Sequence, residues 1–297
     1  MKIGVQTLFN GEQREPLAEH LAGVAKILEE RSFSSIWVSE HVVTFPHYDP
    51  RYPYPYNDDH IPPAFLSRVG ILDPMSTVTA LAMCSKTLML APGVAILPQR
   101  NPVYFAKEGA CIDQISGGRF IAGIGLGWSA QEYEALGVPW EHRGARMNEY
   151  IELIKALWRD DVASFNGKYY QLPECIQLPK PIQRPHPPFY IGGESDPALR
   201  RVAKHAQGWV GFRMTPDEFS ARLKVLKGYL SEQGRSLDDI DIVVSPADKP
   251  CDKDTLAQYA ELGVSQVVMI CMGSDLDSYR DAADKLAEDF IVTASRQ

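Results

Sequence analysis

The sequence has no apolar run approaching the roughly 18 residues a membrane span needs. Met1-Lys2-Ile3 opens directly into a strand-like pattern rather than a signal peptide. Both absences make a cytoplasmic, non-membrane protein the expectation. Positive charge is the minority: 30 Lys and Arg stand against 38 Asp and Glu, a formal net charge of −8. That balance argues against a nucleic acid or an anionic membrane as partner. The five cysteines (Cys84, Cys111, Cys175, Cys251, Cys271) are odd in number and show no CxxC spacing. They read as buried reduced thiols, not as a disulfide framework or a zinc site. The seven histidines lack i,i+2 or i,i+4 pairing, so no metal set is expected. No GxSxG elbow or Walker loop occurs, and Lys86, Lys107 and Lys155 fall on helices or helix edges, which leaves Schiff-base chemistry without a lysine.

What the chain does have centres on Pro188 to Trp209. Phe189-Tyr190-Ile191 reads as a short buried strand that ends in Gly192-Gly193. Ser195 or Asp196 then caps a helix with Pro197 in its first turn and an apolar stripe at Ala198, Leu199, Val202, Ala203 and Ala206. Paired glycines between a strand and a helix N-terminus suit a phosphate, because free N–H groups point outward and the helix dipole favours an anion. Glu194 and Asp196 are acidic beside it, so backbone donors must supply most of the attraction. The competing reading is a plain tight connection.

Along the chain, strand-like runs alternate with amphipathic helical ones. Strands are expected at Lys2 to Leu8, Ser35 to Ser39, Leu88 to Leu97, Arg119 to Gly127, Phe189 to Ile191, Gly208 to Phe212, Ile240 to Ser245 and Gln266 to Met272. A helix follows each. Eight repeats in 297 residues imply parallel strands with right-handed crossovers, closed as a (β/α)8 TIM barrel in a single domain, 1–297. Two insertions interrupt it. Val42 to Asp73, rich in proline and holding Tyr48, Tyr52, Tyr54 and Tyr56, reads as a lid after strand two. Asp160 to Pro187, before strand five, contains a hairpin signal around Asn166-Gly167 that suits a type I′ turn. Pro92-Gly93 inside the third strand marks a bulge or a close backbone approach.

In a barrel the C-terminal strand ends face the active site, which gathers Glu40-His41, Gly127-Trp128 and Gly192 to Ser195. Gly123-Ile124-Gly125-Leu126-Gly127 is GxGxG and not the dinucleotide fingerprint, and no acidic residue ends a following strand. Its glycines either leave room for a flat ring or pack tightly. Met147, Met269 and Met272 read as core filler.

Four stretches, IWVSEHVV, LMLAPGVAILPQRNP, GGRFIAGIGLGWSAQEYEALGVPWEHRGARMNEY and IGGESDPALRRVAKHAQGW, lie in the order and spacing of one family. Over essentially its whole length the chain resembles the bacterial luciferase-like monooxygenase superfamily, most closely its deazaflavin (coenzyme F420)-dependent oxidoreductase branch. The resemblance implies hydride transfer between a deazaflavin and a small organic substrate. The alternatives are an FMN-dependent monooxygenase served by a separate cofactor reductase, or a barrel that binds a flavin or metabolite without turnover. It places His41, with Glu40, beside the reactive ring edge as the catalytic pair. Gly93-Val94 matches the bulge where relatives hold a non-prolyl cis peptide against the back of the ring. Gly192, Gly193, Glu194 and Ser195 match the phosphate segment, and Gln131 a contact to the cofactor tail. Some deazaflavin relatives carry a catalytic carboxylate where this chain has Trp128, which is expected instead to stack on cofactor or substrate. Relatives are commonly dimers, so a homodimer is expected.

Overall fold

The structure, a computed structural model, describes residues 1–46, 48 and 70–291. Most of the expected lid, including Tyr52, Tyr54 and Tyr56, lies outside the described residues. Among the described residues no helix is long and apolar enough to cross a membrane.

The chain runs β1 (Lys2–Thr7), α1 (Leu17–Glu30), β2 (Ser35–Val38), α2 (Pro74–Cys84), β3 (Met89–Pro92), β4 (Ala95–Ile96) and α3 (Pro102–Ser116). It continues through β5 (Ala122–Gly125), α4 (Ala130–Ala135), α5 (Arg143–Arg159), β6 (Ala163–Asn166), β7 (Gln171–Cys175), β8 (Phe189–Gly192) and α6 (Asp196–His205). The last elements are β9 (Gly208–Phe212), α7 (Pro216–Glu232), β10 (Asp241–Ser245), α8 (Lys253–Glu261), β11 (Gln266–Ile270) and α9 (Leu276–Leu286). One parallel sheet has the order β3-β2-β1-β11-β10-β9-β8-β5-β4. Its two ends, β3 and β4, are halves of the same broken third strand, and a parallel bridge from Leu90 to Phe120 joins β3 across to the start of the fourth. The eight expected strands thus close into the (β/α)8 barrel, with the third divided at Pro92-Gly93 as the bulge signal implied.

Burial follows the two-layer logic of the fold. Inward-facing Trp37, Ala91, Ile121, Tyr190, Val210, Val243 and Val268 form a core inside the barrel, and the larger core lies between strands and helices. The base is closed by polar bonds: Gln266 Nε2 donates to Ser34 Oγ at 2.8 Å, Trp37 Nε1 to Ser35 Oγ at 2.9 Å, and Tyr190 Oη to Asp241.

The break in the third strand is held by close packing. The peptide Gly93-Val94 is cis, and Val94 projects over the next two strands. A methyl on Gly125 would meet Val94 Cγ2 at 2.5 Å, and one on Gly123 would fall deep inside contact distance of Pro92 O. The strand-four glycines are therefore small because neighbouring protein atoms fill the space at Gly123 and Gly125, which favours the tight-packing reading of this run. Gly123→Ala is expected to cost about 1 to 3 kcal/mol, the range of overpacked cores. Gly228→Ala, exposed within α7 with open space around it, is expected to add about 0.5 to 1 kcal/mol. Urea midpoints of the two variants, shifted in opposite directions from wild type, check this.

Three local expectations are corrected. The hairpin forms between β6 and β7, but Asn166 pairs with Gln171 and the connection is the four-residue loop 167–170, not a two-residue type I′ turn. The reason is Glu149 on α5, whose carboxylate accepts the N–H groups of Lys168, Tyr169 and Tyr170 and props open the wider loop. The cysteines are all free, yet only Cys271 is buried and Cys84 is exposed at the end of α2. Met272 is 51% exposed beyond β11 and is not core filler, because strand pairing ends at Ile270.

Candidate functional site

Side-chain alternation carries the inner face of the barrel up from its core layer to Ser39, Gly192, Phe212, Ser245 and Ile270, two residues further along their strands. Gln6 on β1 joins this floor: its Nε2 donates to Ser39 Oγ at 2.9 Å and to Gly93 O at 3.2 Å, tying the first strand to the break in the third. Towards β11 the rim turns apolar and open, with Ile270 43% exposed.

Just past β2, His41 Nδ1 lies 3.2 Å from Glu132 Oε2. The other carboxylate oxygen, Oε1, accepts the N–H of Val42 at 2.6 Å. Glu132 is wholly buried on α4, whose N-cap Ser129 accepts the Glu132 N–H at 3.2 Å. A carboxylate fixed at both oxygens sets the plane of the imidazole and leaves Nε2 on the opposite edge of the ring. Trp128 packs edge-on against this imidazole with ring centres 5.4 Å apart, and the Tyr48 ring lies 5.2 Å from that of Trp128. The sequence reading placed His41 and Trp128 at the mouth and did not find Glu132. A carboxylate does stand here, on α4, four residues beyond Trp128.

Glu40 faces a different set of partners. Its carboxylate accepts the Ile96 N–H and a two-pronged bond from Arg100, with Nε at 2.7 Å. Burial pushes the Glu40 carboxyl above its usual range, against the pull of Arg100 and the Ile96 N–H. Arg100 also binds Asp73, the N-cap of α2, so one guanidinium joins the end of β2, the broken strand and the start of α2.

At the end of β8, Gly193 has φ +120°, a conformation that favours glycine, and a methyl there would meet Ala198 Cβ at 3.1 Å. Its carbonyl accepts Trp209 Nε1 at 3.0 Å. Ser195 is the exposed N-cap of α6 by position, but its hydroxyl caps nothing among the described residues. Glu194 turns inward, where its carboxylate accepts the Phe212 N–H at 2.9 Å and burial raises it above the ordinary range. Asp196 is paired with Arg222. With one acid turned in and the other neutralised, the first turn of α6 presents backbone donors, which fits an anionic group of a cofactor. Gln131 lies half-buried on α4 beside Glu132. Among the described residues no cluster of His, Cys, Asp or Glu is arranged to hold a metal ion.

The structure therefore brings His41, Trp128 and Glu132 together in one contact set and places Glu40 in another. Gly93 and Val94 lie at the strand break, and the Gly192 to Ser195 segment opens α6. A solved structure shows the same architecture. The fold matches the coenzyme F420-dependent tetrahydromethanopterin reductase of Methanopyrus kandleri with a TM-score of 0.74, at 18% identity over 98% of this chain and 99% of that one. An uncharacterised Mycobacterium tuberculosis protein is 29% identical over 267 residues, 90% of this chain and 92% of that protein. The FMNH2-dependent dimethylsulfone monooxygenase of Pseudomonas putida is 39% identical over 132 residues, 43% of this chain and 36% of that enzyme. The luciferase-like monooxygenase family model matches residues 1–248, and the chain belongs to that family of oxidoreductases.

Proposed function

We propose that the protein is a deazaflavin-dependent oxidoreductase that moves a hydride between the cofactor and a small organic substrate. The observation that carries this reading is the imidazole of His41, locked by a buried carboxylate at the mouth of the barrel. Hydride transfer to a carbonyl or imine needs a proton at the neighbouring atom, and a histidine with its Nδ1 held by Glu132 can give or take that proton at Nε2. His41 is then the catalytic residue. Glu132 positions it and balances its charge when protonated. Glu40, engaged by Arg100, positions the strand break and is not itself the acid. Trp128 and Tyr48 supply an aromatic wall that orients a planar or apolar substrate.

Gly93 and Val94 would back the ring, Gln131 would reach the tail, and the N–H groups from Gly192 to Ser195 would hold the phosphate. The bound deazaflavin supplies the hydride chemistry, and the protein's part is orientation, exclusion of water and electrostatics. A full-length match to an F420-dependent reductase supports this reading. An FMN-dependent monooxygenase is the second reading, favoured by the 39% identical segment shared with the dimethylsulfone enzyme.

Titration of the apoprotein with the deazaflavin coenzyme and with FMN in parallel, followed by fluorescence, separates the two. Binding of the deazaflavin at least about tenfold tighter than FMN is expected. The reverse preference would move the protein to oxygen chemistry, and binding of neither would end both readings.

A further inference from the structure

We propose that a second groove, outside the barrel mouth, binds the carboxylate or phosphate of a small organic ligand. It lies between the turn Leu97–Gln99, the loop from α4 to α5, α5 itself and the tip of the β6–β7 hairpin, and has a volume of about 620 Å³.

Among the described residues its walls carry Arg100, Arg146 and Lys168 and no aspartate or glutamate, in a chain whose formal net charge is −8. Arg100 is already met by Glu40 and Asp73. The other two cations are not met among the described residues. Arg146 is buried, and its Nη1 and Nη2 donate at 2.9 Å to two backbone carbonyls, of Pro139 and Glu141, with no carboxylate partner. A buried guanidinium bonded to neutral groups retains charge that an anion would balance. Lys168 is exposed at the hairpin tip, its ammonium 5.3 Å from the centre of the Tyr169 ring and in no ion pair.

Glu149 on α5 is itself engaged by the N–H groups of residues 168 to 170. A separate observation points the same way. Gln99 lines the groove, and both polar atoms of its amide are sealed from solvent with no hydrogen-bond partner among the described residues. Buried polar groups are satisfied in nearly all native structures, so this unbonded amide gains by turning outward to meet a ligand oxygen in the groove. Tyr150 and Tyr169 give the same groove aromatic walls.

Two sources can present this chemistry. One is the acidic glutamate tail of a deazaflavin seated in the mouth, which rests on the function proposed above. The Trp128–Gln131 end of the site runs into α4, which is six residues or about 9 Å long and leads to Gly137 at the groove. The other is a separate small anion, which does not depend on that reading.

Calorimetric titration of the full chain decides, with tri-γ-glutamate, neutral triglutamine, and the deazaflavin coenzyme with and without its glutamate tail as probes. Wild type, Lys168→Glu and Arg146→Gln are compared, with circular dichroism to confirm folding. Lys168→Glu alters an exposed side chain and keeps the backbone bond to Glu149, so it stays informative if Arg146→Gln fails to fold. Wild type is expected to bind triglutamate over triglutamine, and Lys168→Glu to lose about tenfold of that affinity. An equal loss for the tailed coenzyme and none for the tailless form identifies the tail as the occupant. Loss for triglutamate alone identifies a separate anion. If neither coenzyme form binds, the deazaflavin reading fails while the triglutamate comparison still stands. Equal binding of triglutamate and triglutamine, or no effect of Lys168→Glu, overturns the groove.

Discussion

Glu132→Gln is expected to lower turnover by about 100-fold or more while leaving cofactor affinity and folding close to wild type, the scale of a lost proton transfer. The two side chains have nearly the same shape, but the hydrogen bonds around them do not permit a neutral swap. One oxygen of Glu132 must accept the Val42 N–H, so the amide oxygen takes that place and the NH2 is turned to His41 Nδ1. An NH2 donor there makes Nδ1 an acceptor and puts the single proton of the neutral ring on Nε2. The imidazolium form then loses the carboxylate that balances it, and proton exchange at Nε2 is lost with it. A histidine 15N–1H correlation spectrum should show the tautomer of His41 inverted, a readout independent of substrate. Turnover within about threefold of wild type, with the tautomer unchanged, would remove Glu132 from the positioning role.

The barrel was readable because each of its repeats is a local pattern: a short buried strand, a turn and an amphipathic helix. The break in the third strand was equally local, announced by Pro92-Gly93. Glu132 was not. Ser129-Ala130-Gln131-Glu132 has the S-x-x-E spacing of a helix start, and Ser129 does cap α4, yet the glutamate side chain turns to a histidine 91 residues away. No local pattern reports such a partner. The Asn166-Gly167 turn failed for the same reason, overridden by a carboxylate from α5. The glycines from Gly123 to Gly127 look like ligand space in one dimension, and only the packed strands show Pro92 O at Gly123 and Val94 at Gly125. Glu40 and His41 are neighbours in sequence, but their described partners are different, Arg100 and Ile96 for one and Glu132 for the other.

Arg100→Met is expected to destabilise the fold by about 3 to 5 kcal/mol, the cost of stripping one partner from a buried ion pair. Arg100 is the meeting point of three carboxylates, with Glu40 buried, Asp73 half-exposed and Glu108 at 3.9 Å. Methionine fills much of the volume and supplies none of the charge, so the loss is electrostatic. In the variant a buried Glu40 without a countercharge favours its protonated form, raising its folded-state value further above that of the unfolded chain. Stability from such a group is present below the unfolded value and is lost as pH rises through the folded one. Asp73 adds to the same trend: against burial, Arg100 and the Ser76 N–H hold its carboxyl below the ordinary range, a stabilisation present only above that range. The gap between wild type and variant should therefore be small in acid and widen towards neutral pH in urea unfolding. Adding Glu40→Gln should recover much of the loss, because an amide oxygen still accepts the Ile96 N–H and no charge is left behind. A gap that does not change with pH, or a double variant no better than Arg100→Met, would mean that Arg100 acts through packing and that Glu40 carries no charge for it to balance.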